Sequence, residues 1–237
     1  ALPICEPDEE PVVSAPKPFL RLSDIVCTGA APVVVDATGA AAVFERDTLT
    51  VAIDFTPLAT TGDAMLIASS NIADANKFFG IGTLANFTKT GVRYVGDNGL
   101  EGWYTSGYSP AAARHRLVIT MSPGASNYNY YIDESFLRNV SGMGAYGYYS
   151  FGKIPNATLY LGGVVSRNAP NRYPFHGTIH SVQFFDGVLS ADEVKRIDYS
   201  NLTTALHNSR NADDMPFTVL NRTIVAKPGL LIDVYDI

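Results

Sequence analysis

The residues best suited to ligand chemistry lie in one polar loop, residues 166–174, which carries Arg167, Arg172 and Tyr173. A guanidinium binds a carboxylate through two parallel hydrogen bonds, a geometry that lysine cannot reproduce. The loop therefore suits recognition of an acidic ligand. The alternative is that both arginines are ordinary solvated loop residues, and the sequence leaves the two interpretations open.

A second candidate is an aromatic surface around Trp103, Tyr104 and Tyr108. Exposed aromatic rings can pack against the apolar faces of sugars. Successive side chains of a strand point to opposite faces, so Trp103 and Tyr104 cannot both lie on one platform. The alternative, which we favour from sequence, places Trp103 in the core and Tyr104 over the sheet.

The elements that flank the polar loop are well marked. Residues 159–161 are a strand end that the Gly162-Gly163 pair breaks, and residues 178–185 form a second strand rich in β-branched and aromatic residues. A short helix near residues 190–198 follows. Ser190 and Glu193 form a capping box there, and Leu189 can pack against Val194 as a hydrophobic staple.

The rest of the chain favours an antiparallel two-sheet sandwich of about ten strands. The clearest strand is residues 48–55, in which four alternating residues face the core: Leu49, Val51, Ile53 and Phe55. Residues 92–95 and 100–104 form a hairpin. We predict an extended acidic, proline-rich arm at 1–18, one sandwich domain at 19–200, and an extension at 201–237. The extension contains strands that complete the sandwich or dock a neighbouring chain.

Four short stretches late in the chain resemble a known family. Residues 177–184 have the form Gly-Thr-Ile-x-x-Val-x-Phe, residues 189–194 read Leu-Ser-x-x-Glu-Val, and residues 161–163 and 173–179 read Leu-Gly-Gly and Tyr-Pro-Phe-x-Gly-Thr-Ile. This order resembles the end of concanavalin A-like, laminin G-like jelly rolls. It is most similar to the sialic-acid-binding family-40 carbohydrate-binding modules of sialidases and, more distantly, to the lectin-like domain of trans-sialidases.

The resemblance implies an all-β jelly roll and a set of ligand-binding residues. Arg167 corresponds to the family's carboxylate-binding arginine, Tyr173 to a tyrosine that packs against the sugar, and Arg172 is a second arginine beside them. Three residues lie between the glycine pair and Arg167, where the family has two. Tyr104 and Ser106 stand where the family has a glutamate and an arginine, so Tyr104 and Arg93 join the predicted ligand-binding set, with Glu101 as a further substitute.

Composition excludes several function classes. The chain has 237 residues, 46% of them hydrophobic, 17% charged, and a net charge of −6. Clustered Lys and Arg are absent, which argues against a nucleic acid partner. No apolar run approaches the roughly 18 residues needed to cross a membrane. No nucleophile motif, phosphate loop or pair of carboxylates with glycosidase spacing is present, so we predict that the chain is not an enzyme.

Cofactor, disulfide and glycosylation sites are weaker predictions. Asp97-Asn98, Asp133-Glu134 and Asp186 could supply oxygens to Ca²⁺, although none has diagnostic spacing, and the four histidines lack zinc spacing. Cys5 and Cys27 suit one disulfide, or two free thiols in a reducing compartment. The five Asn-x-Ser/Thr sequons favour a secreted or surface protein if the source glycosylates them: Asn86, Asn139, Asn156, Asn201 and Asn221.

The leading hypothesis is a non-catalytic glycan-binding module, specific for sialylated glycans, secreted or on a cell or particle surface. Its single-site affinity would be weak and raised by multivalency. The alternative is a structural or adhesion subunit that contacts other proteins through its terminal extensions and binds no glycan. The two differ at Arg167, which is exposed in a binding pocket in the first and paired with an acidic neighbour in the second.

Overall fold

A computed structural model describes residues 14–58, 62–73, 77–84, 89–95, 101–123, 128–140, 149–165, 169–200, 222–227 and 230–235. For residues 101, 103 and 104 and for the last two ranges it describes the backbone only. The strands, β1 to β14 in chain order, are Leu20–Thr28, Val33–Val34, Leu49–Pro57, Ala64–Ser70, Phe78–Leu84, Lys89–Val95, Glu101–Thr105, His115–Met121, Tyr128–Ile132, Ser135–Val140, Thr158–Leu161, His176–Asp186, Arg222–Lys227 and Leu230–Tyr235. The helices are α1, Ala37–Phe44, and α2, Ala191–Lys195.

Twelve of these strands form two six-stranded sheets. Sheet A has the order β1-β12-β3-β8-β9-β10, and sheet B has the order β2-β11-β4-β5-β6-β7. Each pair of neighbouring strands is antiparallel. The structure therefore confirms the predicted antiparallel sandwich and the position of its late strand, β12, which is followed by the short helix α2.

One apolar core lies between the two sheets. The predicted alternation in β3 holds, because its four core residues, Leu49, Val51, Ile53 and Phe55, are all fully buried there. Sheet B contributes aromatic side chains to the same core: Phe79 packs edge-on against Phe151, with ring centroids 4.9 Å apart. Tyr94 stacks on Tyr149 at 4.3 Å.

A second apolar cluster fixes α2 on the outer face of sheet A. Leu189 and Val194, the predicted staple pair, are buried there against Val118 and Phe185. The capping box is present, since the Ser190 hydroxyl accepts the backbone N–H of Glu193 at 3.3 Å. A helix of five residues has little stability of its own, so this packing and the cap together hold it.

No motif of the sequence analysis predicts the helix α1, Ala37–Phe44. Asp36 caps it, because its carboxylate accepts the backbone N–H groups of Thr38 and Gly39, each at 3.0 Å. Val43 is fully buried on the core side. An aspartate N-cap satisfies two donors that the first turn would otherwise leave unpaired.

The edge strand β1 contains a local irregularity. Ser23 pairs with Ser181 of β12 and Ile25 pairs with Ile179, while Asp24 between them adopts a left-handed conformation with φ of 58°. An aspartate tolerates this conformation better than most residues. The backbone at this edge of sheet A therefore departs from regular strand geometry in the middle of β1.

Cys27 lies near the end of β1 and is buried, its thiol facing the backbone at Gly162. Burial raises the pKa of the Cys27 thiol to about 11. Cys5 lies outside the described residues, as does the arm at 1–13, and no disulfide forms among the described residues. The predicted Cys5–Cys27 bond and the arm therefore stay predictions.

The terminal strands β13 and β14 pair with each other as a separate two-stranded sheet. The division of the chain at residues 18 and 200 stays a prediction. No helix in the described part of the chain is long and apolar enough to cross a membrane.

Replacing Ser190 by alanine tests the contribution of the α2 cap. We expect Ser190→Ala to lower the free energy of unfolding by about 1 kcal/mol, because a serine N-cap contributes about that much. Chemical denaturation with circular dichroism measures the change. The control is Ser135→Ala, an exposed serine at the start of β10. A Ser190→Ala effect no larger than the control would show that α2 is held by packing alone.

The capping box of α2 also predicts that the stability of the protein depends on pH. The Glu193 carboxylate accepts hydrogen bonds from the Ser190 backbone N–H at 2.7 Å and hydroxyl at 2.8 Å, which lower the pKa of Glu193. A lowered pKa in the folded state adds stability above the unfolded value, about 4.3, which is lost as the pH falls through the folded value. The stability difference between wild type and Ser190→Ala should therefore be constant near pH 7 and shrink below about pH 4. Denaturation midpoints across this range test it, and a difference that does not change with pH would contradict it.

Candidate functional site

The outer face of sheet B is covered by a third apolar cluster, separate from the core. Met65, Ala68, Phe78 and Val95 contribute to it from the sheet, and Val164 and Tyr173 contribute from the loop that follows β11. Strands β4 and β5 are consequently buried along their whole length. A sheet that is apolar on both faces needs a cover on each, and the loop supplies part of the outer one.

Backbone hydrogen bonds fix this loop, which we call the cover loop and define as residues 162–175. The Gly162 N–H donates to the Leu66 carbonyl at 2.9 Å, and the Met65 N–H donates to the Tyr173 carbonyl at 3.0 Å. Within the loop, the Arg172 N–H donates to the Val164 carbonyl at 2.9 Å. This hydrogen bond joins Arg172 to Val164, which packs in the outer cluster on sheet B.

Asn171 ties the cover loop to the end of β1. Its side-chain amide donates to the carbonyls of Gly29 at 3.2 Å and Gly162 at 3.4 Å. Gly163 makes the close approach feasible: it has φ of 155°, and a Cβ atom there would lie 2.0 Å from the Asn171 side-chain oxygen. The glycine pair therefore ends β11 and also makes room for the amide that anchors the loop.

Two arginines contact the ring of Tyr173. The guanidinium carbon of Arg93 lies 4.2 Å from the ring centroid, and that of Arg172 lies 5.0 Å from it. Phe78 completes the group, with its ring centroid 5.8 Å from that of Tyr173 and 5.6 Å from the Arg172 guanidinium. Cation–π contacts of this kind contribute about 0.5–2 kcal/mol each, more when they are shielded from water.

Asp63 forms an ion pair with Arg93. The Asp63 and Arg93 side chains are only 21% and 14% exposed, so water screens this pair weakly. Arg172 brings a second guanidinium to the same surface. The surface therefore combines aromatic carbon with cationic hydrogen-bond donors, which suits a polar ligand that carries a negative charge.

Three of the five predicted ligand-binding residues, Arg93, Arg172 and Tyr173, meet at this surface. Tyr173 is 9% exposed, so its ring is largely covered by these neighbours. Arg167 lies outside the described residues. Tyr104 is described by its backbone, which pairs with Val92 of β6. The roles of all five stay predictions.

No sequence motif points to Asp63 or Phe78 at this surface. Asp63 precedes β4 and Arg93 belongs to β6, so their contact depends on the strand order and register of sheet B. The one usable signal is the pair Gly80 and Gly82 in β5. Glycine two apart in a strand marks a face where another group approaches closely, but it does not identify the group.

A second polar cluster lies on sheet A, around a cavity of about 350 Å³ lined by Arg114, Arg116, Asp133 and Glu134. Beneath it, the fully buried Asp54 carboxylate accepts two hydrogen bonds from Arg114, at 2.8 and 2.6 Å, which raise the pKa of Arg114. Arg116 contacts Glu134 at 2.9 Å. These charges are matched within the protein, so we assign the cluster a structural role on this face.

The described residues among the predicted Ca²⁺ ligands each contact other protein groups. Asp133 accepts hydrogen bonds from His115 and the Arg116 backbone, Glu134 pairs with Arg116, and Asp186 pairs with Arg46 at 3.2 Å. Asp97 and Asn98 lie outside the described residues. Among the residues that are described, no three His, Cys, Asp or Glu side chains lie close enough to hold a metal ion.

Two of the five predicted glycosylation sites are described, and they differ in environment. The Asn139 amide donates to the Asn129 side chain at 2.7 Å and to the Tyr128 carbonyl at 3.4 Å, within β10. Asn156 is exposed in a turn before β11, with φ of 52°. Modification of Asn139 would break its two hydrogen bonds, whereas Asn156 is accessible. Asn86, Asn201 and Asn221 lie outside the described residues.

No protein-family model matches the chain, and no curated protein matches it in sequence. Solved structures do match its fold. The CBM40 module of the Ruminococcus gnavus IT-sialidase, bound to α2,3-sialyllactose, superposes with a TM-score of 0.65 at 17% sequence identity, covering 75% of this chain and 97% of the module.

Two larger enzymes contain a similar domain. The leech intramolecular trans-sialidase has a TM-score of 0.64 at 14% identity, and the NanB sialidase from Streptococcus pneumoniae has one of 0.60 at 17% identity. They match 77% and 78% of this chain, and the match spans 28% of each of their own chains. The chain therefore has the two-sheet β-sandwich fold of the sialidase CBM40 carbohydrate-binding modules.

Proposed function

We propose that the chain is a non-catalytic glycan-binding module and that its ligand lies on the outer face of sheet B, beside the cover loop. The observation that carries the proposal is the group of Arg93 and Arg172 around Tyr173, on a fold shared with modules that bind sialyllactose. The fold by itself supports only the class of module, because one fold hosts many functions.

The preferred ligand under this proposal is a sialylated glycan. Such a glycan presents one carboxylate and several hydroxyl groups on a compact ring, so it requires fixed N–H donors beside an apolar surface. The guanidinium groups of Arg93 and Arg172 beside the ring of Tyr173 support this choice. Arg167 is the proposed direct partner of the carboxylate, and Arg172 is proposed to add a second guanidinium.

A secreted or surface location belongs to the same proposal, since sialylated glycans are displayed outside cells. The proposed partners are glycans or glycoproteins, and contacts to other proteins through residues 1–18 and 201–237 are a further expectation. The alternative is a structural or adhesion role without glycan binding. The first experiment below distinguishes this alternative from the glycan-binding proposal.

The first test is a calorimetric titration of wild type and Arg167→Ala with 3′-sialyllactose. We expect the wild type to bind and Arg167→Ala to lose about tenfold or more in affinity, because a hydrogen bond to a charged group contributes about 1.5–3 kcal/mol. Arg172→Ala should weaken binding less. Arg138→Ala, an exposed arginine on β10 of sheet A, should bind like the wild type. If the folded wild type binds no sialylated glycan, the proposal is wrong and the structural role takes its place.

Two substitutions of Tyr173 test whether its ring holds the proposed glycan site in place. Tyr173→Phe keeps the ring that both arginines contact, so we expect stability within about 0.5 kcal/mol of the wild type. Tyr173→Ala removes a buried ring from the outer cluster and should cost about 3 kcal/mol of unfolding free energy.

Measured below the melting range, where each variant is folded, Tyr173→Ala should also lose sialyllactose binding because the cover loop loses its anchor. Denaturation followed by titration of the same samples gives both quantities. Unchanged sialyllactose affinity in Tyr173→Ala would place the glycan site elsewhere on the molecule.

A further inference from the structure

We propose that Asp63 is a specificity-determining residue of this face: its carboxylate acts as an internal counter-ion to Arg93 and limits the preference for acidic over neutral ligands. The inference rests on the proposed glycan site and adds a residue that neither the sequence motifs nor the related folds identify. It follows from the position of one ion pair relative to Tyr173 and Arg172.

The contact between Asp63 and Arg93 spans three strands. Arg93 lies opposite Gly80 in the register of β6 and β5, and Gly82, two residues on, lies opposite Met65 of β4. A Cβ atom would approach the Met65 sulfur to 2.7 Å at Gly80 and the Ala64 carbonyl oxygen to 2.0 Å at Gly82. The Met65 side chain and the Ala64 backbone occupy the space that side chains at these two positions would take, and the Arg93 side chain reaches Asp63 across β5.

The backbone holds the two partners in this arrangement. Asp63 immediately precedes β4, and the next residue but one, Met65, donates its N–H to the Tyr173 carbonyl at 3.0 Å. Tyr173 in turn places its ring 4.2 Å from the Arg93 guanidinium. The Asp63 carboxylate and the Tyr173 ring are therefore held by neighbouring residues at the start of β4, and both contact the Arg93 guanidinium that β6 supplies.

A carboxylate on the guanidinium has a direct consequence for an acidic ligand. It neutralises one of the two described cations beside Tyr173 and occupies a donor that a ligand carboxylate would otherwise use. It also repels the incoming negative charge, and the low exposure of the pair limits screening by water and salt. A neutral ligand meets no such repulsion.

The competing explanation is purely structural: Asp63 holds Arg93 against Tyr173 and affects every ligand alike. The two explanations predict different outcomes for charge selectivity. Loss of the negative charge at Asp63 makes the local charge more positive by one unit, which raises the affinity for an acidic ligand only. Loss of a purely positioning contact lowers the affinity for acidic and neutral ligands together.

The test compares 3′-sialyllactose with its methyl ester, which has the same shape and no carboxylate charge. Asp63→Asn should bind sialyllactose about 3- to 10-fold more tightly than the wild type at low ionic strength, while its affinity for the methyl ester stays within about twofold. Asp63→Glu keeps the negative charge and should keep the selectivity of the wild type. Asp192→Asn, on the exposed side of α2 over sheet A, changes the net charge of the protein equally and should leave both affinities unchanged.

The outcomes separate this inference from the glycan proposal. Suppose that the wild type binds sialyllactose. If Asp63→Asn then lowers the affinity for sialyllactose, leaves that affinity unchanged, or raises the affinity for both ligands equally, Asp63 is not a selectivity residue, although the glycan site stands. If neither the wild type nor Asp63→Asn binds either ligand, both proposals fall. Circular dichroism of each variant confirms that the compared proteins are folded.

Discussion

The need to cover both faces of sheet B governs the arrangement of this molecule. Strands β4 and β5 carry apolar side chains toward the core and also toward the outside. The shared core satisfies one face, and the cover loop packs Val164 and Tyr173 onto the other. A loop held in this way cannot move independently of the sheet, so the side chains it carries are fixed relative to Arg93 on β6. The proposed site is thus a by-product of hydrophobic burial, in the sense that the same contacts stabilise the fold and position the cations.

Charge is used differently on the two outer faces. On sheet A, the buried Asp54 carboxylate pairs with Arg114, and Arg116 pairs with Glu134. On sheet B, two arginines contact one aromatic ring, and Asp63 pairs with one of them, Arg93. The second face thus combines guanidinium groups with an aromatic ring, which is why we prefer it as the candidate for binding a polar ligand.

The sequence predicted those parts of the structure that local patterns determine. The alternation in β3, the capping box at Ser190 and the late strand β12 are all short-range features, and all are present. The grouping of Arg172 with Tyr173 followed from their adjacency. By contrast, α1 is eight residues long and alanine-rich, with the Asp36 cap as its one clear signal. The Asp63–Arg93 pair joins residues thirty positions apart and depends on the order and register of β4, β5 and β6. Side-chain contacts across a sheet depend on register, and no local pattern encodes register at that range.

The irregularity in β1 bears on how the protein behaves at high concentration. A long edge strand with a regular row of unpaired backbone groups is a template on which another molecule can add a strand. In β1 the left-handed Asp24 interrupts that row and introduces a charge at the same point. A second molecule would have to accommodate the break and bury the carboxylate in order to extend sheet A. We therefore expect Asp24 to disfavour the addition of a further strand at this edge of the sandwich.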